Sequence, residues 1–288
     1  MVIETLGCAS VAIIQSPQFF LVDILHRFAP SRNRGIIAVM TNLADAAREF
    51  GIVLTPEQQA AFDIYYRELM TWNARMNLTA IVDHDQVVVK HFLDSLSIGP
   101  ILRNVIANHP ERSGAKSKDA IQLIDIGTGA GFPGIPLKIA FPDLQLALLE
   151  TTGKKVEFLK HVIAHLNLHD VNAIQARAED LGHDLAHRER HDIAIARAVA
   201  NLATLAEYAL PFVRKSGVFI AQKGVAVDDE VHQAMRALQV LGGRVREIVP
   251  VQLPGLEPRH VIVIEKIAAT PAPYPRRAGI PERKPLTN

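Results

Sequence analysis

The sequence predicts an α/β protein built on a mostly parallel sheet with helices on both faces. Between residues 119 and 267, short apolar segments alternate with longer amphipathic ones, which is typical of strands joined by crossover helices. The first of these strands ends in a glycine-rich turn. Residues 40–106 differ, because their apolar residues recur at helical spacing. We therefore expect a helical N-terminal cap followed by a seven-stranded sheet.

Residues 1–39 are interpreted as an N-terminal extension, disordered or upstream of the true start, because Met40 precedes a clear helical start. Their apolar stretch is interrupted by Pro17 and Asp23, whereas a membrane span needs about 20 predominantly apolar residues. The first charge is Glu4, although a secretory signal begins with positive residues. We expect no membrane segment and no export signal.

The helical cap, residues 40–106, carries two helix-start patterns. Thr55 with Gln58 forms a capping box, and Asp83 with Gln86 resembles a second one. One helix face after the first box is apolar and aromatic, at spacings of three and four. Its members are Phe62, Tyr65, Tyr66, Leu69, Trp72 and Met76.

Residues 107–118 form a polar linker interrupted by proline and glycine. Seven strands are predicted after it, at 121–125, 144–149, 171–175, 192–196, 217–222, 245–251 and 260–265. The helices predicted between them include 154–166, 203–213 and 227–241. The tail, residues 268–288, is basic and rich in proline, so we expect it to be extended rather than packed.

Composition limits the classes of protein that fit. The formal net charge is +1, so any nucleic-acid surface must come from local clusters of basic residues. Cys8 is the only cysteine, which excludes an internal disulfide and a cysteine-rich zinc module. A single thiol fits a cytoplasmic protein, and no pattern demands more than a monomer.

Two histidine sets recur at every fourth residue. They are His161, His165 and His169, and then His183, His187 and His191. Neither set has the His-Glu-x-x-His order of a zinc protease, and metal-binding clusters also need supporting hydrogen bonds. We interpret both sets as solvated or core residues and expect no metal site.

The residues His91, Asp94 and Ser95 contain the letters of a hydrolase triad. They lie within little more than one helical turn, whereas triad members come from separate elements. We expect them to pack the cap against the sheet domain.

The central motif runs from Asp125 to Gly134, between a predicted strand and a predicted helix. Its glycines let the backbone turn sharply and approach a ligand closely. Those before the helix are Gly127, Gly129 and Gly131. Glu150 ends the next strand, where an acid can accept hydrogen bonds from both hydroxyls of a ribose. The motif therefore predicts a nucleoside cofactor.

Two kinds of cofactor are candidates for this loop. Residues Gly129 to Gly134 match the dinucleotide pattern G-x-G-x-x-G, but Pro133 removes one amide where a pyrophosphate would bind. Asp125 adds a negative charge, which suits the positive sulfonium of S-adenosylmethionine better. We favour S-adenosylmethionine; an NAD-dependent oxidoreductase and a structural turn without a ligand remain alternatives.

Nine segments, in this order, resemble the bacterial 16S rRNA guanine-N7 methyltransferases of the glucose-inhibited division protein B family. They are Trp72–Ile81, His91–Leu96, Asp125–Leu137, Leu149–Lys155, Arg177–Glu179, Arg197–Ala198, Lys223–Gly224, Tyr274–Gly279 and Lys284–Leu286. The resemblance runs from about Met40 to the C-terminus, so residues 1–39 lie outside it.

The resemblance implies a class I (Rossmann-like) methyltransferase fold. It also implies methylation of guanine N7 at ribosomal position 527, on 16S rRNA, the small subunit or an assembly intermediate. The donor contacts that it implies are Gly127, Phe132, Ala178, Glu179 and Arg197. A non-catalytic ribosome- or RNA-binding protein on the same scaffold is the further alternative.

Guanine N7 has a free lone pair and no proton, so its methylation needs no general base. Arg197, at the end of the fourth predicted strand, is expected to position cofactor or substrate. Its alternative role is a salt bridge to Asp125 or Glu179. The basic residues proposed to contact RNA phosphates are Lys154, Lys155, Lys223, Arg276 and Arg277.

Overall fold

The computed structural model describes residues 42–108, 120–197, 200–225 and 227–287. Met40–Asn288 forms one compact unit, so the cap and the sheet are parts of a single body. The extension 1–39 and nearly all of the linker lie outside the described residues. Within the described ranges, no helix is long and apolar enough to cross a membrane.

The cap is helical, as the sequence predicts. Its elements are α1 (Leu43–Glu49), α2 (Pro56–Met76), α3 (His84–Val87), a π-helical segment (Val88–Leu93), α4 (Asp94–Leu96) and α5 (Gly99–Ala107). The capping box at the start of α2 is formed, because Thr55 Oγ1 accepts from Gln58 N at 3.2 Å and Gln58 Oε1 accepts from Thr55 N at 2.9 Å. The predicted apolar face of α2 is buried at Phe62, Tyr65 and Leu69.

The sheet has seven strands in the order β3-β2-β1-β4-β5-β7-β6. They are β1 (Gln122–Ile126), β2 (Gln145–Glu150), β3 (Val171–Gln175), β4 (His191–Arg197), β5 (Val213–Lys223), β6 (Gly243–Val251) and β7 (Arg259–Lys266). Strands β1 to β5 are parallel, and β7 is antiparallel to both of its neighbours. The all-parallel dinucleotide order 3-2-1-4-5-6 has no such inserted strand.

Helices cover both faces of the sheet. They are α6 (Gly134–Ala140), α7 (Gly153–His165), α8 (Ala178–Leu181), α9 (Leu202–Ala209), α10 (Asp228–Leu241) and α11 (Ile280–Arg283). Side chains alternate along each strand, so Leu123 joins the core shared with the cap and α7, whereas Ile124 joins the core beneath α9 and α10. Each such buried leucine or isoleucine contributes about 1.5–3 kcal/mol.

Two predictions about the second half of the chain are wrong. The helix predicted at 203–213 ends at Ala209, because Pro211 cannot continue the helical hydrogen bonds and β5 begins at Val213. The tail is packed rather than extended. Arg276 forms an ion pair of 2.7 Å with the fully buried Glu207, and Thr204 Oγ1 donates to Pro281 O at 3.0 Å.

Candidate active site

The candidate site lies at the carboxyl ends of the central strands. β1 is flanked by β2 on one side and β4 on the other, so the strand order reverses direction at β1. The crevice at such a switch point is where ligands bind in open α/β sheets. The residues predicted for the cofactor all lie at this edge: Asp125, Gly127, Gly129, Gly131, Phe132, Glu150, Ala178, Glu179 and Arg197.

Asp125 is fully buried beneath the glycine loop. Its Oδ2 accepts hydrogen bonds from Thr128 Oγ1 at 2.6 Å and from Gly134 N at 2.8 Å. Burial raises the pKa of this carboxyl to about 6 despite those two hydrogen bonds. The first amide of α6 is therefore already bound to an acid, which leaves a poor site for a dinucleotide's pyrophosphate.

The glycines of the loop have different neighbours. Gly129 has φ +62°, and no atom lies within 4 Å of the place where a Cβ would stand. Gly131 has φ +101°, and its Cβ would meet Ile135 Cδ1 at 2.5 Å and Tyr65 Oη at 2.7 Å. Gly129 thus faces open space that a ligand can fill. At Gly131, the absence of a side chain lets Tyr65 of the cap pack against the loop.

Glu150 anchors the loop from the end of β2. Its side chain is 6% exposed; Oε2 accepts from Gly129 N at 3.1 Å and Oε1 accepts from Thr152 N at 2.8 Å. A carboxylate offers about four lone-pair positions, so it can still accept hydrogen bonds from a ligand.

Ala178 and Glu179 begin α8, immediately beyond β3, and both are buried. Glu179 Oε1 accepts a hydrogen bond of 2.9 Å from Gly279 N. Burial and the nearby Glu179 carboxylate raise the pKa of Tyr208 to about 12. The C-terminal tail therefore reaches the rim of the site, which the sequence did not indicate.

Phe132, in the glycine loop, contacts both the cap and Arg197. The His91 ring lies 4.5 Å from its centroid with 17° between the planes, and Arg197 Cζ lies 5.1 Å from the same ring. Burial and the positive charge of Arg197 lower the pKa of His91 to about 4. His91 is therefore neutral at pH 7.

Arg197 is held by the cap. Its Nη1 donates to Asp94 Oδ2 at 3.0 Å and to Lys90 O at 3.3 Å. Asp94 is 2% exposed, and Arg259 Nε lies 3.5 Å from its other oxygen. An ion pair does exist, but its partner is Asp94 rather than the predicted Asp125 or Glu179.

His91, Asp94 and Ser95 are held in packing and hydrogen-bonding contacts. Ser95 Oγ donates to the backbone oxygen of His91 at 2.6 Å, so it forms no relay with the imidazole. The structure places His91, Asp94 and Ser95 where the cap meets the sheet, as expected from the sequence.

A cavity of about 300 Å³ adjoins Arg197 at the ends of β4 and β5. Its lining includes Gln222, Lys223, Glu230 and Arg259. Gln222 Nε2 donates to Asp94 O at 2.7 Å, whereas its Oε1 is buried and has no partner among the described residues. Sequence reasoning missed Gln222, although it is a polar residue at the carboxyl end of a predicted core strand.

Comparison with known proteins identifies the family. Residues 58–260 match the family model of rRNA small subunit methyltransferase G. The chain belongs to this family. It is 48% identical over 248 residues to the ribosomal RNA small subunit methyltransferase G of Roseiflexus sp. (strain RS-1), covering 86% of this chain and 100% of that one. The protein of the same name from Acetivibrio thermocellus is 46% identical, covering 85% and 96%.

Among solved structures, the chain is similar to TrmN from Thermus thermophilus. The TM-score is 0.45 at 16% identity, covering 62% of this chain and 53% of that chain.

In this member of the methyltransferase G family, the basic residues predicted to contact RNA differ in their surroundings. Lys154 and Arg277 are exposed, and Lys155 is half-buried. Lys223 Nζ pairs with Glu230 Oε1 at 2.6 Å, and Arg276 pairs with Glu207. Two of the five predicted cations are therefore neutralised by carboxylates of the protein itself.

Two larger cavities lie away from this edge. One, of about 450 Å³, is at the amino ends of β1 to β3 and is lined by Gln122, Gln145 and His191. The other, of about 490 Å³, lies between α5 and the turn that joins α6 to β2. Neither contains the glycine loop, and α/β sheets bind ligands at the opposite, carboxyl ends.

Proposed function

We propose that this protein transfers the methyl group of S-adenosylmethionine to N7 of a guanine in 16S rRNA, at ribosomal position 527. The observation that carries this proposal is the glycine loop with Asp125 and Glu150 at the switch point of a methyltransferase G family member. The family resemblance alone supplies the nucleotide position.

The donor half of the site fits S-adenosylmethionine. Gly129 leaves open space above the loop, and Glu150 can accept hydrogen bonds from ribose hydroxyls. We propose that Glu179, at the start of α8, lies near the adenine. Asp125 has one buried oxygen without a partner among the described residues, and its charge favours a cationic ligand. When bound, S-adenosylmethionine supplies an electrophilic methyl group on a positive sulfur.

The acceptor half fits a guanine base. Gln222 lines this cavity, and rotation of its side chain would let the unpaired, buried Oε1 accept a hydrogen bond from the N1 or N2 hydrogens of guanine. Arg197 can donate to O6. Because N7 needs no general base, these contacts act by alignment, which can lower a barrier by roughly 7–11 kcal/mol. The neutral imidazole of His91 is not required as a base.

The RNA must present this guanine unstacked from its neighbours. Enzymes that modify bases turn the target out of the stack into a pocket, and RNA loops allow this readily. We propose that the exposed Lys154 and Arg277 contact phosphates beside it. We further propose that the protein acts as a monomer in the cytoplasm, on the small subunit or an assembly intermediate.

The test is transfer of labelled methyl from S-adenosylmethionine to small ribosomal subunits purified from cells that lack this enzyme, with the modified base mapped afterwards. We expect label on one guanine N7, and only with active protein. A parallel reaction with free 16S rRNA distinguishes naked RNA from assembled particles. Absence of label on both substrates, with bound S-adenosylmethionine demonstrated, would contradict the proposed acceptor.

A further inference from the structure

A three-residue cluster of possible metal ligands contains none of the residues assigned above to the active site. Glu68 projects from α2 of the cap, and His161 and His165 project from successive turns of α7. His161 Nε2 lies 2.6 Å from Glu68 Oε2, and His165 Nε2 lies 3.5 Å from Glu68 Oε1. One ligand atom from each residue lies within 4.8 Å of the other two.

We propose that Glu68, His161 and His165 bind a divalent transition metal ion, with Zn²⁺ as the best match. Two histidines and one glutamate form a known protein donor set for zinc, with a fourth position for water. Zinc–ligand bonds of 2.0–2.2 Å in a tetrahedron separate ligand atoms by roughly 3.4 Å. The separation of 3.5 Å between His165 Nε2 and Glu68 Oε1 matches that value, and the hydrogen bond of 2.6 Å between His161 Nε2 and Glu68 Oε2 would lengthen as the ion replaces the proton.

The geometry needs only small adjustments to close around an ion. The His165 side chain is 52% exposed, so it can rotate without disturbing the core. The His161 side chain is 35% exposed and the Glu68 side chain 20%, which leaves room for a water ligand. If Glu68 only formed a hydrogen bond with His161, there would be no reason for His165 to lie beside the other carboxylate oxygen.

No metal site was predicted from the sequence, because the third ligand comes from a distant part of the chain. Spacing along α7 showed two histidines on one helix face, but the carboxylate comes from a helix 93 residues earlier in the chain. His169, the third member of that set, lies beyond the end of α7 at His165. The complete set of three ligands is therefore apparent only in the folded structure, where α2 lies beside α7.

A metal ion here would clamp the cap to the sheet. α2 also carries Tyr65, whose hydroxyl donates to Ala130 O in the glycine loop at 2.5 Å. An ion that binds only the folded protein stabilises it. We therefore expect the ion to raise the melting temperature and to hold the cap helix that supports the loop.

Trp72 provides a local reporter, because it is the only tryptophan in the chain and its ring lies 4.9 Å from that of His161. Cu²⁺, which quenches nearby fluorescence, is titrated into the chelator-treated full chain, and Zn²⁺ binding is measured by calorimetry. We expect saturable one-to-one quenching and competition by Zn²⁺. We also expect Zn²⁺ to raise the melting temperature.

The decisive variants are His165→Asn and Glu68→Gln, with His169→Asn as the matched control because it removes an exposed histidine outside the cluster. The first two should raise the half-saturating metal concentration by at least roughly tenfold and abolish the thermal shift; the control should behave as wild type. Quenching that does not saturate, or equal binding by all three variants, would overturn the proposal. Far-UV circular dichroism checks that each variant is folded.

Discussion

The two halves of the candidate site differ in charge and in how the chain builds them. The donor half, at the ends of β1 to β3, is acidic and contains Asp125, Glu150 and Glu179. In the acceptor half, at the ends of β4 and β5, cations outnumber acids, because Arg197, Lys223 and Arg259 lie against the carboxylates of Asp94 and Glu230. A cationic donor and a polyanionic RNA would each meet charge of the opposite sign.

The halves also differ in sequence distance. Asp125 contacts Thr128 and Gly134, three and nine residues away. Arg197, by contrast, is fixed by Asp94, 103 residues earlier in the chain. Local contacts leave a pattern in the sequence, whereas a distant ion pair leaves none.

Gly129→Val is expected to have the largest effect on donor binding, and it tests the donor half alone. A side chain here would fill the space proposed for the donor, so S-adenosylmethionine affinity should fall by at least about 100-fold, equivalent to ~2.8 kcal/mol. Gly255→Val is the matched control, because Gly255 has a similar φ of +67° and equally open surroundings. Calorimetric titration measures the affinity of both variants for S-adenosylmethionine. Equal affinities would show that the loop is not part of the binding site.

Two adjacent arginines of the tail have different proposed roles: Arg276 stabilises the fold, and Arg277 contacts RNA. Arg276→Met removes the guanidinium paired with the buried Glu207 and leaves only the hydrogen bond from the backbone N of residue 276, so the free energy of unfolding should fall by ~3–5 kcal/mol. Arg277→Met should change stability by no more than about 0.5 kcal/mol and reduce the salt dependence of RNA binding by about one ion. Denaturant melts and salt titrations measure these quantities, and similar behaviour of the two variants would contradict the assignment.

Arg197→Lys probes the boundary between the halves. Lysine keeps the charge but loses the planar group that lies over Phe132 and donates to Asp94. We expect kcat/KM for methyl transfer to fall roughly 10–100-fold through misalignment. Steady-state kinetics with small subunits measures this, and unchanged kinetics would show that Arg197 is only structural.

The sequence predicted the seven strands, the capped helix α2 and the loop around Asp125, because each depends on residues close together in the chain. It did not predict Asp94 as the partner of Arg197, because that pair joins the cap to β4. The packed tail was missed for a similar reason. Arg276 looks like a solvated charge until Glu207, 69 residues earlier, is placed beside it.

The pH dependence of donor binding tests the charge of the donor half. The pKa of Asp125 is raised to about 6, and a cationic donor favours the deprotonated carboxylate. Protons therefore compete with the donor, so affinity should fall up to about tenfold per pH unit below 6 and be constant above it. Calorimetry from pH 5 to 8 measures the donor affinity. The affinity of Asp125→Asn should not change with pH. A wild-type affinity that does not change with pH would show that the charge of Asp125 has no effect on donor binding.

Gln222→Met tests most directly whether the two halves have separate roles. Methionine fills a similar volume, but its thioether sulfur is only a weak hydrogen-bond acceptor for the base. Binding of S-adenosylmethionine and methyl transfer to small subunits are measured on the same preparation. We expect donor affinity within about twofold of wild type and transfer reduced about tenfold, the lower part of the 1–3 kcal/mol range for specific base contacts. Donor affinity that falls in parallel with transfer, or transfer that does not change, would contradict the division of the site into donor and acceptor halves.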